Sequence, residues 1–310
     1  MNTKENLLYL DIETTGLSPE TSALTVIGCC EKDGTAVQWF NESGSEQKKI
    51  LSSFLSYAER FDTFVTYNGG TFDLPFLKKK CEEYGLPYSI EGKNCIDLYK
   101  NLRSWKHLLP LQNLKQKTVE EFLEIKRKDR LSGRQLVKVY QDYIKTRQPE
   151  LKSMILQHNK EDILSLPRIQ SLLVFGPLGN GSFTVKEHHI TDHKLSVHLS
   201  LPFAAPTSLF IEKSGHRLCA SSSEACLSCP LDNGQLKHYH KNTKDYRYLP
   251  LEDLVIPVSM ASFVDQSAVE KAEPQNCYTR FCPDENFLSN QDDLQKYCTD
   301  MIYYLLRKDK

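Results

Sequence analysis

The chain has 310 residues, 40% hydrophobic and 25% charged, with a formal net charge of −1. That composition describes a folded globular protein rather than a disordered or fibrous one, and the balanced charge excludes a global basic field for nucleic acid. No stretch is apolar for long enough to cross a bilayer, and the start reads as neither signal peptide nor anchor. The 10 cysteines lack framework spacing, which points to reduced thiols in a cytoplasm.

Leu8, Leu10 and Ile12 alternate with Tyr9, Asp11 and Glu13, which predicts a first strand with one apolar face. Asp11 and Glu13 then project together. Two adjacent carboxylates repel, and a hard cation such as Mg²⁺ or Mn²⁺ relieves the repulsion. The alternative for the pair alone is two solvated acids on an edge strand. Thr14-Thr15-Gly16 ends the strand. Two further strands are expected over Ala23 to Glu31 and Thr35 to Asn41, joined by the turn Lys32-Asp33-Gly34. Apolar spacing predicts a helix from Gln47 to Arg60, then a strand from Thr63 to Tyr67 that Asn68-Gly69-Gly70 ends. A second helix, Phe72 to Tyr84, is stopped by Gly85 and Pro87. Three hairpin-linked strands followed by a helical crossover to a parallel strand match a ribonuclease H-like α/β fold, a mixed sheet flanked by helices.

From Ile96 to Phe175 the pattern is helical, with helices expected over Ile96 to Leu102, Val119 to Ile125, Gly133 to Lys145 and Glu150 to Phe175. Pro167 is expected to kink or end the last one. After Gly176-Pro177 the character changes, so domains are drawn at 1–178 and 182–310. The second is smaller and β-rich, opening with a strand over Val185 to Leu201 and closing with a helix over Gln291 to Arg307. Cys226, Cys229, Cys277 and Cys282 with His238 and His240 could be drawn as a zinc site. The second spacing is loose and Cys219 confuses it, so no structural zinc is expected.

Two more stretches join the first pair of acids. Asn68-Gly69-Gly70-Thr71-Phe72-Asp73 lies at a strand-to-helix junction, where Asp73 also suits a plain helix cap. His158 and Asp162 are four apart on a predicted helix and share a face. Asp11-Ile12-Glu13-Thr14-Thr15-Gly16, then Asn68 with Phe72-Asp73, then His158 with Asp162, resembles the three motifs of the DEDD exonuclease superfamily. Leu131-Ser132-Gly133-Arg134, Tyr140, Tyr143 and His158-Asn159 are similar to the YprB-type ribonuclease H-like family. The resemblance covers roughly residues 7 to 175.

The resemblance implies a two-metal phosphodiesterase, a 3′–5′ exonuclease that releases 5′-mononucleotides from DNA or RNA. Asp11, Glu13, Asp73 and Asp162 would hold two Mg²⁺ or Mn²⁺ ions, one activating a water and the other stabilising the leaving 3′ oxygen. Thr14, Thr15, Asn68 and Phe72 would contact substrate. Members usually carry a histidine five residues before the last aspartate or a tyrosine four before it. Here a histidine, His158, has the tyrosine's spacing, and an imidazole can accept a proton near neutral pH. Lysines and arginines crowd residues 100 to 138 with Tyr99 and Trp105 among them, and Arg103 and Lys106 are the candidates for phosphate contacts. The same run also reads as solvated helix faces. A non-catalytic nucleic-acid-binding module and an endonuclease of the same fold are the alternatives.

Overall fold

The computed structural model describes residues 6–308. Strand β1 (Leu7–Thr14) is the centre of a five-stranded mixed sheet. It pairs antiparallel with β2 (Leu24–Glu31), which pairs antiparallel with β3 (Ala36–Phe40). On its other side it pairs in parallel with β4 (Thr63–Thr66), and β4 with β5 (Asn94–Asp97). The order β3-β2-β1-β4-β5 is the expected ribonuclease H-like arrangement. Helix α1 (Gln47–Ala58) makes the crossover to β4, and α2 (Asp73–Tyr84) the crossover to β5; Gly85 ends α2 in the left-handed region at φ 62°.

The expected helix from Ile96 is corrected by β5. Leu98 and Leu102 have helical spacing and belong to α3 (Leu98–Trp105), whereas Ile96, two residues before Leu98, belongs to an edge strand. Asp97 separates them, its side chain accepting the Lys100 N–H at 3.1 Å as an N-cap. Then follow α4 (Gln116–Phe122), α5 (Gly133–Thr146) and α6 (Pro149–Gln170). Ser132 and Gln135 close a capping box that starts α5. Helix α6 runs through Pro167 to Gln170, and a 3₁₀ turn over Ser171–Val174 replaces the continuous helix expected as far as Phe175.

Packing explains why the sheet presents acids on one face. Leu8, Leu10 and Ile12 bury against Leu51 and Phe54 of α1 and Phe76 and Leu77 of α2. Each such side chain contributes about 1.5–3 kcal/mol when fully buried. On the opposite face Val26 of β2 packs on Leu136, Tyr140 and Tyr143 of α5 and Ile155 of α6. The second face of β1, carrying Tyr9, Asp11 and Glu13, therefore lies beneath α6.

The chain divides into two compact units: the residues through Lys106 with Pro110–Gln170, and His107–Leu109 with Ser171 onward. The second unit contains an antiparallel sheet of β6 (Thr184–Ile190), β7 (Lys194–Lys213) and β8 (His216–Pro230). The single strand expected over Val185 to Leu201 is thus two, reversed at a turn where Thr191 N donates to Lys194 O at 2.9 Å. The helix Gln291–Leu306 buries Leu294, Tyr297, Cys298, Met301 and Leu305 within this unit. Cys226 and Cys229 are three apart on β8 and so face opposite sides of it, and His238 is engaged by Asp300 at 2.9 Å.

Candidate metal centre

The acids predicted from three separate stretches meet where β1, α2 and α6 converge. On β1 the register places Asp11 opposite Gly28 and Glu13 opposite Val26, and a bulge after Glu13 ends the regular pairing. Because β4 stops at Thr66, the Ile12 N–H has no strand partner on that side. Asp73, the first residue of α2, accepts it at 3.1 Å and is thereby drawn under β1. Asp73 is buried.

Helix α6 closes the site from above. Asn159, fully buried, donates from Nδ2 to Asp11 Oδ2 at 2.9 Å, and its Oδ1 accepts from Gln38 Nε2 at 2.8 Å. Gly28 makes this possible, since a Cβ there would lie 2.0 Å from Asn159 Oδ1. One residue earlier, His158 aims Nε2 between Glu13 Oε1 at 3.6 Å and Asp162 Oδ2 at 3.3 Å. Ligand atoms of Glu13, His158 and Asp162 all lie within 4.8 Å of one another.

Burial and mutual repulsion push all four carboxyls up. Asp11 is raised well above the ordinary carboxylate range by burial first, then by Asp162, Asp73 and Glu13. Glu13 follows for the same reasons, although its side chain keeps 13% of its surface exposed. Burial also carries Asp73 up to about 7, and raises Asp162 although the neighbouring Arg127 guanidinium opposes it. Four clustered oxygen donors beside an imidazole form a hard donor set, and the strain on their ionised forms is what a divalent cation removes. The residues fit Mg²⁺ or Mn²⁺.

Some of the surroundings carried no sequence signal. Arg127, from the loop between α4 and α5, turns inward to contact Asp162 and Glu120, with Asp129 Oδ2 at 3.5 Å and Glu161 at 3.4 Å. Its side chain is 9% exposed, so it is neither a solvated charge nor part of a surface track, the two readings open to it as one of the basic run. Burial opposes its charge, but Asp162 and Glu120 hold it protonated. Asp129 Oδ2 bonds His158 Nδ1 at 2.7 Å. Asp97 could have been found as a helix cap, but not in its second role. It accepts from Asn68 N at 3.0 Å and Gly70 N at 3.2 Å, fixing the loop before Asp73, where Asn68 has φ 64°.

The remaining expected residues are spread around this cluster. The Asn68 side chain accepts from Thr71 Oγ1 at 3.0 Å, and Phe72 packs on Phe76. Thr14 Oγ1 donates to Gly16 O at 2.7 Å and Thr15 Oγ1 accepts from Ala23 N at 2.8 Å, so both hydroxyls shape the turn. A cavity of about 470 Å³ includes Asn68, Tyr99, Lys115 and Gln116 in its lining. Gln116 in turn donates to the main-chain carbonyl of Asp162 at 3.1 Å, which ties the cavity wall to α6. A second cavity, about 510 Å³, has Gly70, Thr71 and Lys100 in its wall. Arg103 and Lys106 are exposed and line neither.

The RNase_H superfamily model matches residues 8–174, more than half of the chain. The chain belongs to the RNase_H superfamily. The chain is 31% identical over 169 residues to the uncharacterized protein YprB of Bacillus subtilis, covering 53% of this chain and 40% of that one. It is 29% identical over 91 residues to a DNA polymerase of Thermococcus hydrothermalis, covering 27% of this chain and 5% of the polymerase. The aligned regions thus span well under half of either relative. Among solved structures, the family B DNA polymerase of Pyrobaculum calidifontis aligns with a TM-score of 0.47 at 13% identity, over 96% of this chain and 46% of that one. NrnC of Brucella melitensis bound to pGG aligns with a TM-score of 0.37 at 22% identity, over 56% and 73% of the two chains. Among the described residues, no helix is long and apolar enough to cross a membrane.

Proposed function

We propose that this RNase_H superfamily member is a divalent-metal-dependent nuclease that removes 5′-mononucleotides from the 3′ end of DNA or RNA. The observation that carries the reading is the convergence of Asp11, Glu13, Asp73 and Asp162, each with its carboxyl raised, on one locus beneath α6. These four would hold two Mg²⁺ or Mn²⁺ ions. When bound, the ions would supply an activated water and neutralise the charge that develops on phosphate and leaving oxygen.

The chain's own residues do the rest. Asn159 fixes the Asp11 carboxylate by donating to Oδ2, and the Ile12 N–H fixes Asp73. His158 Nε2, on the same face of α6 as Asp162, takes the proton of the attacking water and returns it to solvent. The cavity with Tyr99, Asn68 and Lys115 in its wall suits a stacked base and a phosphate of the 3′-terminal nucleotides. We assign the reaction to residues 1–178 and an accessory role to 182–310.

The test is a paired incubation of linear single strands and covalently closed circles, both DNA and RNA, with Mg²⁺ or Mn²⁺. Linear strands should shorten and circles survive. Nicking of circles that is absent from Asp11→Asn protein would replace the exonuclease by an endonuclease.

A further inference from the structure

The loop between α4 and α5 carries a carboxylate that no motif singled out. Asp129 is 4% exposed and is fixed on every side. Its Oδ1 accepts the Leu131 N–H at 3.0 Å, and its own N–H donates to Glu161 Oε2 at 3.0 Å. The neighbouring Lys128 N–H donates to the other Glu161 oxygen, also at 3.0 Å, so the loop is clasped onto α6 by its backbone. Oδ2 faces three donors: His158 Nδ1 at 2.7 Å, Lys117 Nζ at 3.4 Å and Arg127 Nη2 at 3.5 Å. Although burial opposes it, the Leu131 hydrogen bond and the neighbouring His158 hold this carboxyl below its ordinary range, unlike the four raised acids. Asp129 is therefore an anionic acceptor with a fixed position.

We propose that Asp129 is a positioning residue that sets the tautomer of the His158 ring, with the proton on Nδ1 and the Nε2 lone pair directed between Glu13 and Asp162. The proposal rests on the reading of His158 as proton acceptor. A neutral imidazole has one donor and one acceptor nitrogen, and the partner of one nitrogen decides the role of the other. With Nδ1–H donating to Asp129, Nε2 can only accept, which is the form that takes a proton from water. With the proton on Nε2 instead, the ring would offer Asp129 a lone pair against a buried carboxylate and could accept nothing at the acids.

The tautomer is read directly from ¹⁵N chemical shifts of the His158 ring, in metal-free full-length protein across a pH series. The expected result is a protonated Nδ1 with a pyridine-like Nε2 wherever the ring is neutral. Asp129→Ala should shift His158 to a mixture of tautomers and lower kcat by about 10- to 100-fold with KM little changed. Asp129→Asn is the control for a purely structural role. Three donors face Oδ2 and one faces Oδ1, so the amide oxygen should take the Oδ2 place, keep the Nδ1–H tautomer and retain most of kcat. An Nε2–H ring in the unmodified protein, an imidazolium throughout the pH series, or an unchanged tautomer in Asp129→Ala would each overturn the proposal. Failure of the proton-acceptor reading looks different: His158→Ala would keep its rate while the tautomer stays as described.

Discussion

Asp11 and Asp162 carry the same group in different surroundings, and removing the charge from each should have opposite effects. At Asp11, Asn159 Nδ2 would still find an oxygen in an asparagine, while a like charge leaves a repulsive cluster. Asp11→Asn should raise the melting temperature of metal-free protein and abolish its stabilisation by Mn²⁺. Asp162→Asn should lower the metal-free melting temperature, because that carboxylate is a counter-charge of Arg127. Thermal unfolding in chelator separates the two, and a rise for both would contradict the role given to Arg127. Asp73 gives a pH dependence with a definite sign. Its folded pKa of about 7 lies above its ordinary 3.8, so the folded state binds its proton more tightly than the unfolded chain. That contribution is complete below about 3.8 and is lost as pH rises through about 7. Asp73→Asn should flatten this fall, measured by unfolding midpoints in chelator across the interval. At His158, the Ala variant should slow hydrolysis by about 10² to 10⁴ with metal affinity retained. A loss below about threefold would return the proton to bulk water.

Among elements, β1 was legible because its alternation is strict and its two faces have different neighbours. Leu8, Leu10 and Ile12 face the α1–α2 layer, so Asp11 and Glu13 had to face the other way. The pairing of His158 with Asp162 was legible for the same reason, a helical period fixing a shared face. Strand β5 was not, because a four-residue edge strand that runs into a helix leaves no separate period. Nor could spacing show that Arg127 and Asp129 fold inward: Lys126-Arg127-Lys128-Asp129-Arg130 looks uniformly solvated in sequence, and only the approach of α6 distinguishes its members. The α4–α5 loop therefore deserves its own test. Arg127→Ala leaves Glu120, Asp129, Glu161 and Asp162 without a shared cation, and should destabilise metal-free protein by about 3–5 kcal/mol. Saturating Mn²⁺ should recover part of that loss, since the ion would neutralise Asp162. Urea unfolding with and without Mn²⁺ measures it, and an equal loss in both would mean that the guanidinium does not share the metal's electrostatic role.

On the scale of the whole molecule, a net charge of −1 gives nucleic acid no general attraction, so binding has to be local. An acidic pocket alone repels a phosphodiester. On the proposed reading, bound divalent ions would reverse the sign of the site, and Lys100 and Lys115, which line two cavities, would add positive charge beside it. The most direct measurement is the hydrolysis of 5′-end-labelled single-stranded DNA and RNA by the full-length protein in Mg²⁺ or Mn²⁺, beside the same protein in excess chelator and Asp11→Asn. The account predicts a ladder of strands shortened stepwise from the 3′ end with metal, and intact strand in both controls. Hydrolysis that persists in chelator, or that Asp11→Asn performs at the unmodified rate, would contradict it, as would intact DNA and RNA under every metal condition.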